Sequence, residues 1–265
     1  MDWVYEYYVK KGHLFLEIMN SKWRIASEEA DLISRSFRVH GISRGAKVLE
    51  VGCGNGRIAI NLANLGYNVT GLDISELYID DARRRAKEYE VDVEFIVGDA
   101  RGINKIINDK YDAVLFFWSS VIGYYDEETD LEILRKCHLI TKRDGKLFIL
   151  NHANRDYIVY HISLRGKLES LLETDNYVVI EVSQLNVYDS RFISTWKFYR
   201  RGKEELIFVD ELVTSQRVYS LHELVSLGRM AGWYVEKAYG NLATLEEFAR
   251  PHFHGSINVV FSKGG

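Results

Sequence analysis

The sequence has few cysteines, no long apolar run and no excess of either charge. Cys53 and Cys137 are the only two thiols in 265 residues, which excludes a disulfide framework and leaves both as small packing residues. Nothing approaches the roughly 18 consecutive apolar residues of a membrane span. The opening Met1-Asp2-Trp3 also lacks the basic-then-apolar order of a targeting segment, so a cytoplasmic protein with no membrane partner is expected. The 34 basic and 38 acidic residues give a formal net charge of -4, and the runs Arg83-Arg84-Arg85 and Arg200-Arg201 are short. Polyanions gain no general attraction from such a surface, so nucleic acid is not expected as a partner. What is present is ordinary globular usage, 47% hydrophobic and 27% charged, in a chain long enough for one domain with an insertion.

Within it, residues 47–56 are the most informative stretch. Val48, Leu49 and Val51 give the continuous apolar character of a strand buried on both faces. Gly52, Gly54 and Gly56 then let the backbone turn tightly and approach a ligand. Glu50 is placed to face whatever that loop holds. One helix-length later Asn68-Val69-Thr70-Gly71-Leu72-Asp73 reads as a second parallel strand that ends in an acid, the arrangement that offers a carboxylate to ribose hydroxyls. The third glycine of a dinucleotide fingerprint is replaced by Arg57, which disfavours nicotinamide and flavin. Gly56-Arg57-Ile58 likewise lacks the Lys-Ser/Thr pair of a phosphate-binding P-loop. Glu50 and Asp73 would repel a pyrophosphate and tolerate a cation, which suits S-adenosylmethionine, a sulfonium with a ribose and a free amino group.

On these residues the chain resembles the class I S-adenosylmethionine-dependent methyltransferases, with Glu50-Val51-Gly52-Cys53-Gly54-Asn55-Gly56 as the first motif. The resemblance assigns Asp73 to the ribose and Ile74 to the adenine. In Phe95-Ile96-Val97-Gly98-Asp99-Ala100, Asp99 is matched to the adenine amino group and Ala100 to the ring. Tyr111–Trp118 resembles the fourth strand, whose end covers the cofactor with Phe117 and Trp118. The segment Arg217–Leu224 followed by Ala231-Gly232-Trp233 is similar to small-molecule N- and O-methyltransferases, including glycine N-methyltransferase-like proteins. The fourth strand ends in Phe-Phe-Trp-Ser and lacks the Asn/Asp-Pro-Pro-aromatic signature of enzymes that methylate bases or glutamine amides.

The expected fold is α/β, a doubly wound, mostly parallel seven-stranded sheet with an inserted antiparallel meander as a lid. Strands are read near 47–51, 68–73, 93–97, 112–118 and 145–151, with Lys142-Arg143-Asp144-Gly145 as a turn and Ser75 as a helix N-cap. The meander is read at 177–188, 191–200 and 205–216, followed by a helix near 220–231 and a closing strand pair. Residues 1–40 form a helical cap, 41–152 and 220–265 the cofactor-binding core, and 153–219 the lid. Ligands in such sheets bind outside the carboxyl ends of the strands. Ser119, Ser120, Tyr124 and Tyr125 therefore become acceptor-site candidates after the fourth strand, and Asn151, His152 and Asn154 after the fifth. His152 and Tyr124 are the catalytic candidates, His152 because an imidazole titrates near neutrality.

Tyr5, Tyr7, Tyr8 and Trp23 are candidates for an aromatic cage or for packing the cap. Arg217 and Tyr219 are read as binding an anionic group of the acceptor or as ending the meander. No metal is expected, Pro251-His252-x-His254 being read as a loop contact. The expected partner is a small-molecule methyl acceptor, with room for a homodimer. The alternative function is a non-catalytic cofactor-binding or protein-interaction module of the same fold.

Overall fold

The computed structural model describes residues 2–264; Met1 and Gly265, the outermost residues of the expected cap and core, lie outside the described residues. A π-helical turn at Tyr5–Lys10 leads into α1 (Gly12–Ser21), and a 3-10 turn at Trp23–Ile25 leads into α2 (Ala26–Val39). Strands and helices then alternate as β1 (Lys47–Val51), α3 (Arg57–Asn64), β2 (Asn68–Asp73), α4 (Glu76–Glu88), β3 (Glu94–Val97), α5 (Ile103–Ile106), β4 (Tyr111–Phe117), α6 (Glu127–Ile140) and β5 (Thr141–Ala153). The insertion holds α7 (Arg155–Arg165), β6 (Leu168–Glu173), β7 (Val178–Asn186), β8 (Arg191–Arg201) and β9 (Leu206–Arg217). The chain closes with α8 (Leu221–Met230), β10 (Tyr234–Asn241), β11 (Glu246–Glu247) and β12 (Ser256–Ser262).

The main sheet has the order β11-β10-β12-β5-β4-β1-β2-β3, with β1 to β5 mutually parallel and β12 running antiparallel to β5. It has eight strands among the described residues rather than seven, the extra one being the two-residue edge β11. Continuous apolar runs are needed because both faces are covered. Val48 packs with Ile33, Ile58 and Phe148 on the side of α2 and α3, while its neighbour Leu49 packs with Ile133, Cys137 and Leu227 on the side of α6 and α8. Each such side chain contributes about 1.5–3 kcal/mol on burial. The two thiols sit in these clusters, Cys53 and Cys137 both buried.

Three local readings change. Lys142-Arg143-Asp144-Gly145 belongs to β5 instead of forming a turn, because the β4–β5 ladder slips from Tyr111↔Thr141 to Ala113↔Lys146 and takes these residues up as a bulge. Ser75 occupies the N-cap position of α4, yet its Oγ makes no capping bond. The inserted sheet has a fourth strand, β6, at an edge of the order β6-β7-β8-β9. Its sequence, Leu168-Glu-Ser-Leu-Leu-Glu173, carries no β-branched residue, so only pairing with β7 makes it a strand.

A third apolar cluster, Tyr7, Leu14, Ile18, Val179, Phe198 and Leu212, joins the N-terminal helices to the inserted sheet. Lys11 adds an ion pair to Asp210 at 2.9 Å, and Asn176 Nδ2 donates to Glu17 at 2.9 Å. Among the described residues no helix is long and apolar enough to cross a membrane.

Candidate active site

Between β1 and β4 the strand order reverses, and there a cavity of about 390 Å³ opens at the carboxyl ends of the parallel strands. That lies within the roughly 300–1,000 Å³ of small-molecule sites. Its floor is the loop after β1. Gly52 has φ +75, and a Cβ there would stand 2.8 Å from the Ser120 Cβ, so only glycine lets the two loops meet. Asp73, at the end of β2, accepts from the Gly54 N–H at 2.8 Å and the Ser75 N–H at 2.9 Å. Burial raises its carboxyl to about 6 against these bonds.

Glu50 is 4% exposed, and burial pushes its carboxyl up to about 8. Its Oε2 and the Oδ1 of Asn55 are buried without a hydrogen-bond partner among the described residues. Two orphaned acceptors beside a carboxylate fit a ligand that brings N–H donors and positive charge. The S-adenosylmethionine ammonium meets that requirement, and a pyrophosphate does not. The Arg57 guanidinium is already engaged, paired with Glu29 and lying 5.6 and 5.4 Å from the ring centroids of Phe117 and Trp118.

Asp99, where β3 ends, is gripped by Arg101, whose Nε donates at 2.9 Å and whose backbone N–H donates at 2.8 Å. The Arg101 guanidinium in turn lies over Tyr125 at 4.5 Å. Burial opposes ionisation of Asp99, but the Arg101 bonds win and hold its carboxyl below the ordinary value.

The loop after β4 is strained. Trp118, Ser119 and Val121, with Asn151 near the end of β5, have φ of 60°, 55°, 63° and 52°, four of the seven non-glycine residues with positive φ among the described residues. Each such residue costs about 1–3 kcal/mol and persists where the surroundings over-determine it. Here Ser120 Oγ donates to Val51 O at 2.9 Å, Ser119 Oγ accepts from Ala153 N–H at 2.7 Å, and Gly123 O accepts from Arg217 N–H at 2.7 Å. The loop is thereby tied to β1, β5 and the inserted sheet at once.

An aromatic wall closes the other side. Tyr8 stacks on Tyr124 at 5.3 Å and its hydroxyl donates to the Tyr124 hydroxyl at 2.9 Å, while the Trp3 indole N–H donates to Tyr124 O at 3.0 Å. Burial pushes Tyr124 up to about 12, so it is a neutral phenol in the physiological range. Phe15 stacks on Trp118 with centroids 6.3 Å apart. Tyr7 and Tyr8 reach the cavity, whereas Tyr5 is exposed and Trp23 packs on Tyr89 and Arg85 away from it.

Of the residues expected from sequence, Glu50, Gly52, Cys53 and Gly54 line the cavity, and so do Asp73, Ile74, Asp99 and Ala100. Phe117, Trp118 and Tyr124 complete the set, together with Ser119, Ser120, Tyr125 and Asn151. Other expected residues lie elsewhere. Gly56 caps α3 at φ +76 and is needed because a Cβ would meet Phe95 at 2.8 Å and Ala82 at 2.9 Å; it is a packing residue that does not reach the cavity.

His152 is 1% exposed and absent from the lining, so it is not placed to act as a base. The left-handed Asn151 turns it inward under Tyr219, whose ring is 6.3 Å away, while Asn151 and Ala153 face the cavity. Burial lowers its imidazole to about 4. Arg217 and Tyr219 also stay outside the cavity. Arg217 pairs with Glu127 and Glu223 at 2.7 and 2.9 Å, and Tyr219 donates to Asp130 at 2.7 Å. Asn154 caps α7, its Oδ1 accepting from Asp156 N–H at 3.0 Å. Sequence reading missed Glu181, Ser194, Trp196, Thr214 and Gln216 of the inserted sheet, which line the cavity and which no local motif marks.

Comparison with known proteins agrees with this geometry. Residues 48–145 match the family model described as a methyltransferase domain. A putative methyltransferase of Geobacillus sp. (strain WCH70) is 28% identical over 131 residues, 49% of this chain and 51% of that protein. The chain thus spans about half the length of the curated relatives it matches. The crystal structure of an S-adenosylmethionine-dependent methyltransferase from Clostridium acetobutylicum superimposes with a TM-score of 0.75 at 15% identity, covering 97% of this chain and 98% of that one. An S-adenosylmethionine-bound amino pentose methyltransferase from Micromonospora echinaspora gives 0.66 at 16% identity, over 93% and 96% of the two chains. Residues 48–145 thus match a methyltransferase domain, and the chain shares its fold with solved S-adenosylmethionine-dependent methyltransferases.

Proposed function

We propose that the protein transfers the methyl group of S-adenosylmethionine to a nitrogen or oxygen atom of a small-molecule acceptor by in-line displacement. The observation that carries this reading is the buried Glu50 carboxyl beside the glycine loop, its Oε2 without a partner among the described residues, in a cavity that continues past the strand ends to the aromatic wall and the inserted sheet. S-adenosylmethionine, when bound, supplies a methyl group on a positively charged sulfur, so the protein has only to align the reactants and exclude water.

In this reading Glu50 and Asn55 hold the amino end of the donor, Asp73 the ribose, and Asp99, Ala100 and Ile74 the adenine. Gly52, Cys53 and Gly54 supply the backbone, with Phe117 and Trp118 packed against it. Tyr124, a neutral phenol, offers the acceptor a hydrogen bond and does not remove its proton. Residues 153–219 act as a lid on a core formed by 41–152 and 220–265, with 1–40 as a cap that seals the gap between them. A cavity that runs on from the glycine loop to the aromatic wall and the inserted sheet favours an enzyme over a binding module, whose cavity would be filled.

The test is a calorimetric titration with S-adenosylmethionine followed by a methyl-transfer screen over amines, hydroxy acids and sugars. Saturable binding and labelled product are expected. Indifference to the donor at millimolar concentration would refute the proposal.

A further inference from the structure

The lid carries one carboxylate into the cavity, and nothing else described here uses it. Residues of β7 alternate in direction, so Val179, Glu181 and Ser183 share a face. Val179 packs on the N-terminal helices, Ser183 is buried, and Glu181 lines the cavity. Across the ladder Glu181 lies opposite Trp196, and the lid residues beyond them that line the cavity, Phe192, Ser194, Thr214 and Gln216, are uncharged.

The Glu181 carboxylate accepts from two hydroxyls, Ser170 at 3.0 Å and Ser183 at 3.1 Å. Among the described residues it has no ion-pair partner. Arg57, among the described residues the one cationic side chain in the cavity wall, is committed to Glu29. The indole N–H of Trp196 is buried and has no hydrogen-bond partner among the described residues. A half-buried carboxylate without a counterion, walled by Tyr7 and Trp196, gains from a ligand that brings positive charge.

Resting on the methyl-transfer reading, we propose that the acceptor is an amine that enters as its ammonium ion, and that Glu181 is the specificity-determining residue that selects it. Aromatic faces and the carboxylate together favour the cation over an alcohol or a carboxylate of the same shape. The ammonium gives one proton to the Glu181 carboxylate. The freed nitrogen lone pair then forms the N–C bond as the C–S bond breaks and its electron pair returns to sulfur. The methylated nitrogen ends with the positive charge that sulfur has lost.

The test titrates the full chain, saturated with S-adenosylhomocysteine, with 2-phenylethylammonium and its isosteres 2-phenylethanol and 3-phenylpropanoate. The ammonium probe is expected to bind about tenfold or more tighter than either isostere, as a charge-assisted hydrogen bond requires. Glu181→Gln should erase that preference while S-adenosylhomocysteine affinity, the control for correct folding, stays unchanged. Equal or absent binding of the ammonium probe to the wild-type chain overturns the assignment. A preference that survives in both Glu181→Gln and Glu181→Ala overturns it as well. Failure to bind S-adenosylhomocysteine would instead bring down the methyl-transfer reading, so the two failures are distinguishable.

Discussion

Donor affinity should follow the ionisation of Glu50, because the carboxyl proposed to meet the donor's ammonium is raised from its ordinary 4.5 to about 8 by burial. In the ligand-free protein at pH 7 this group is mostly protonated, and pairing with an ammonium requires the proton to leave. Each pH unit below the folded value costs about 1.4 kcal/mol, so binding at pH 6 should be weaker than its ceiling by about 2.7 kcal/mol, about a hundredfold. Above pH 8 the ligand's own α-amino group, with a reference pKa of about 7.7–8.0, loses its charge, which places the optimum near pH 8.

Titration calorimetry with S-adenosylhomocysteine at pH 6, 7 and 8 measures this slope. Repeating the pH 7 run in buffers of different ionisation enthalpy should reveal about one proton released on binding. Glu50→Gln should flatten the acid limb and weaken binding at pH 8. Affinity independent of pH between 6 and 8, or the same slope in Glu50→Gln, would refute the pairing. Stability carries the opposite sign. Folding raises this pKa, so the folded chain holds a proton that the unfolded chain has lost between pH 4.5 and about 8. Stability of the ligand-free protein therefore falls as pH rises through that window, and Glu50→Gln should relieve the loss.

Asp73→Ala should weaken S-adenosylhomocysteine binding by about 1–3 kcal/mol, since it removes the proposed ribose contacts and frees the Gly54 and Ser75 N–H groups; unchanged affinity by calorimetry would take Asp73 out of the site. Gly52→Ala places a Cβ 2.8 Å from Ser120 at φ +75, a strain of about 1–3 kcal/mol. For a chain of this size that lowers the melting temperature by about 2–4 °C per kcal/mol, and an unshifted melting curve would contradict the close approach. His152→Leu should leave methyl transfer within about threefold and its pH profile unmoved, against the about 10²–10⁴-fold loss produced by deleting a general base. A collapse in turnover with the fold intact would restore His152 to the chemistry.

The half of the cavity built on the glycine loop and the strand ends was legible because it follows chain-local rules. A parallel strand buried on both faces must read as an apolar run, and the turn after it must be glycine where φ is positive and the Ser120 loop comes within 2.8 Å of an added Cβ. An acid ending β2, like Asp73, falls at the carboxyl edge by topology alone. Where backbone geometry departs from the regular pattern, local reading failed. Left-handed Asn151 turns His152 beneath Tyr219, and a slipped ladder absorbs the expected turn at 142–145 into β5.

The half walled by the aromatics and the inserted sheet was not legible for a different reason. Tyr7, Tyr124 and Glu181 come from three distant segments whose side chains meet only when α1 and the inserted sheet close on one another through Leu14, Val179 and Phe198. The sequence by itself determined the succession of parallel strands and the glycine loop that floors the cavity, since periodicity, glycine and strand-end acids act over a few residues. The tertiary structure alone decided which side chains from the N-terminal segment and the inserted sheet line the cavity, because that depends on packing between elements far apart in the chain, and a single left-handed residue or slipped ladder reverses which way a side chain points.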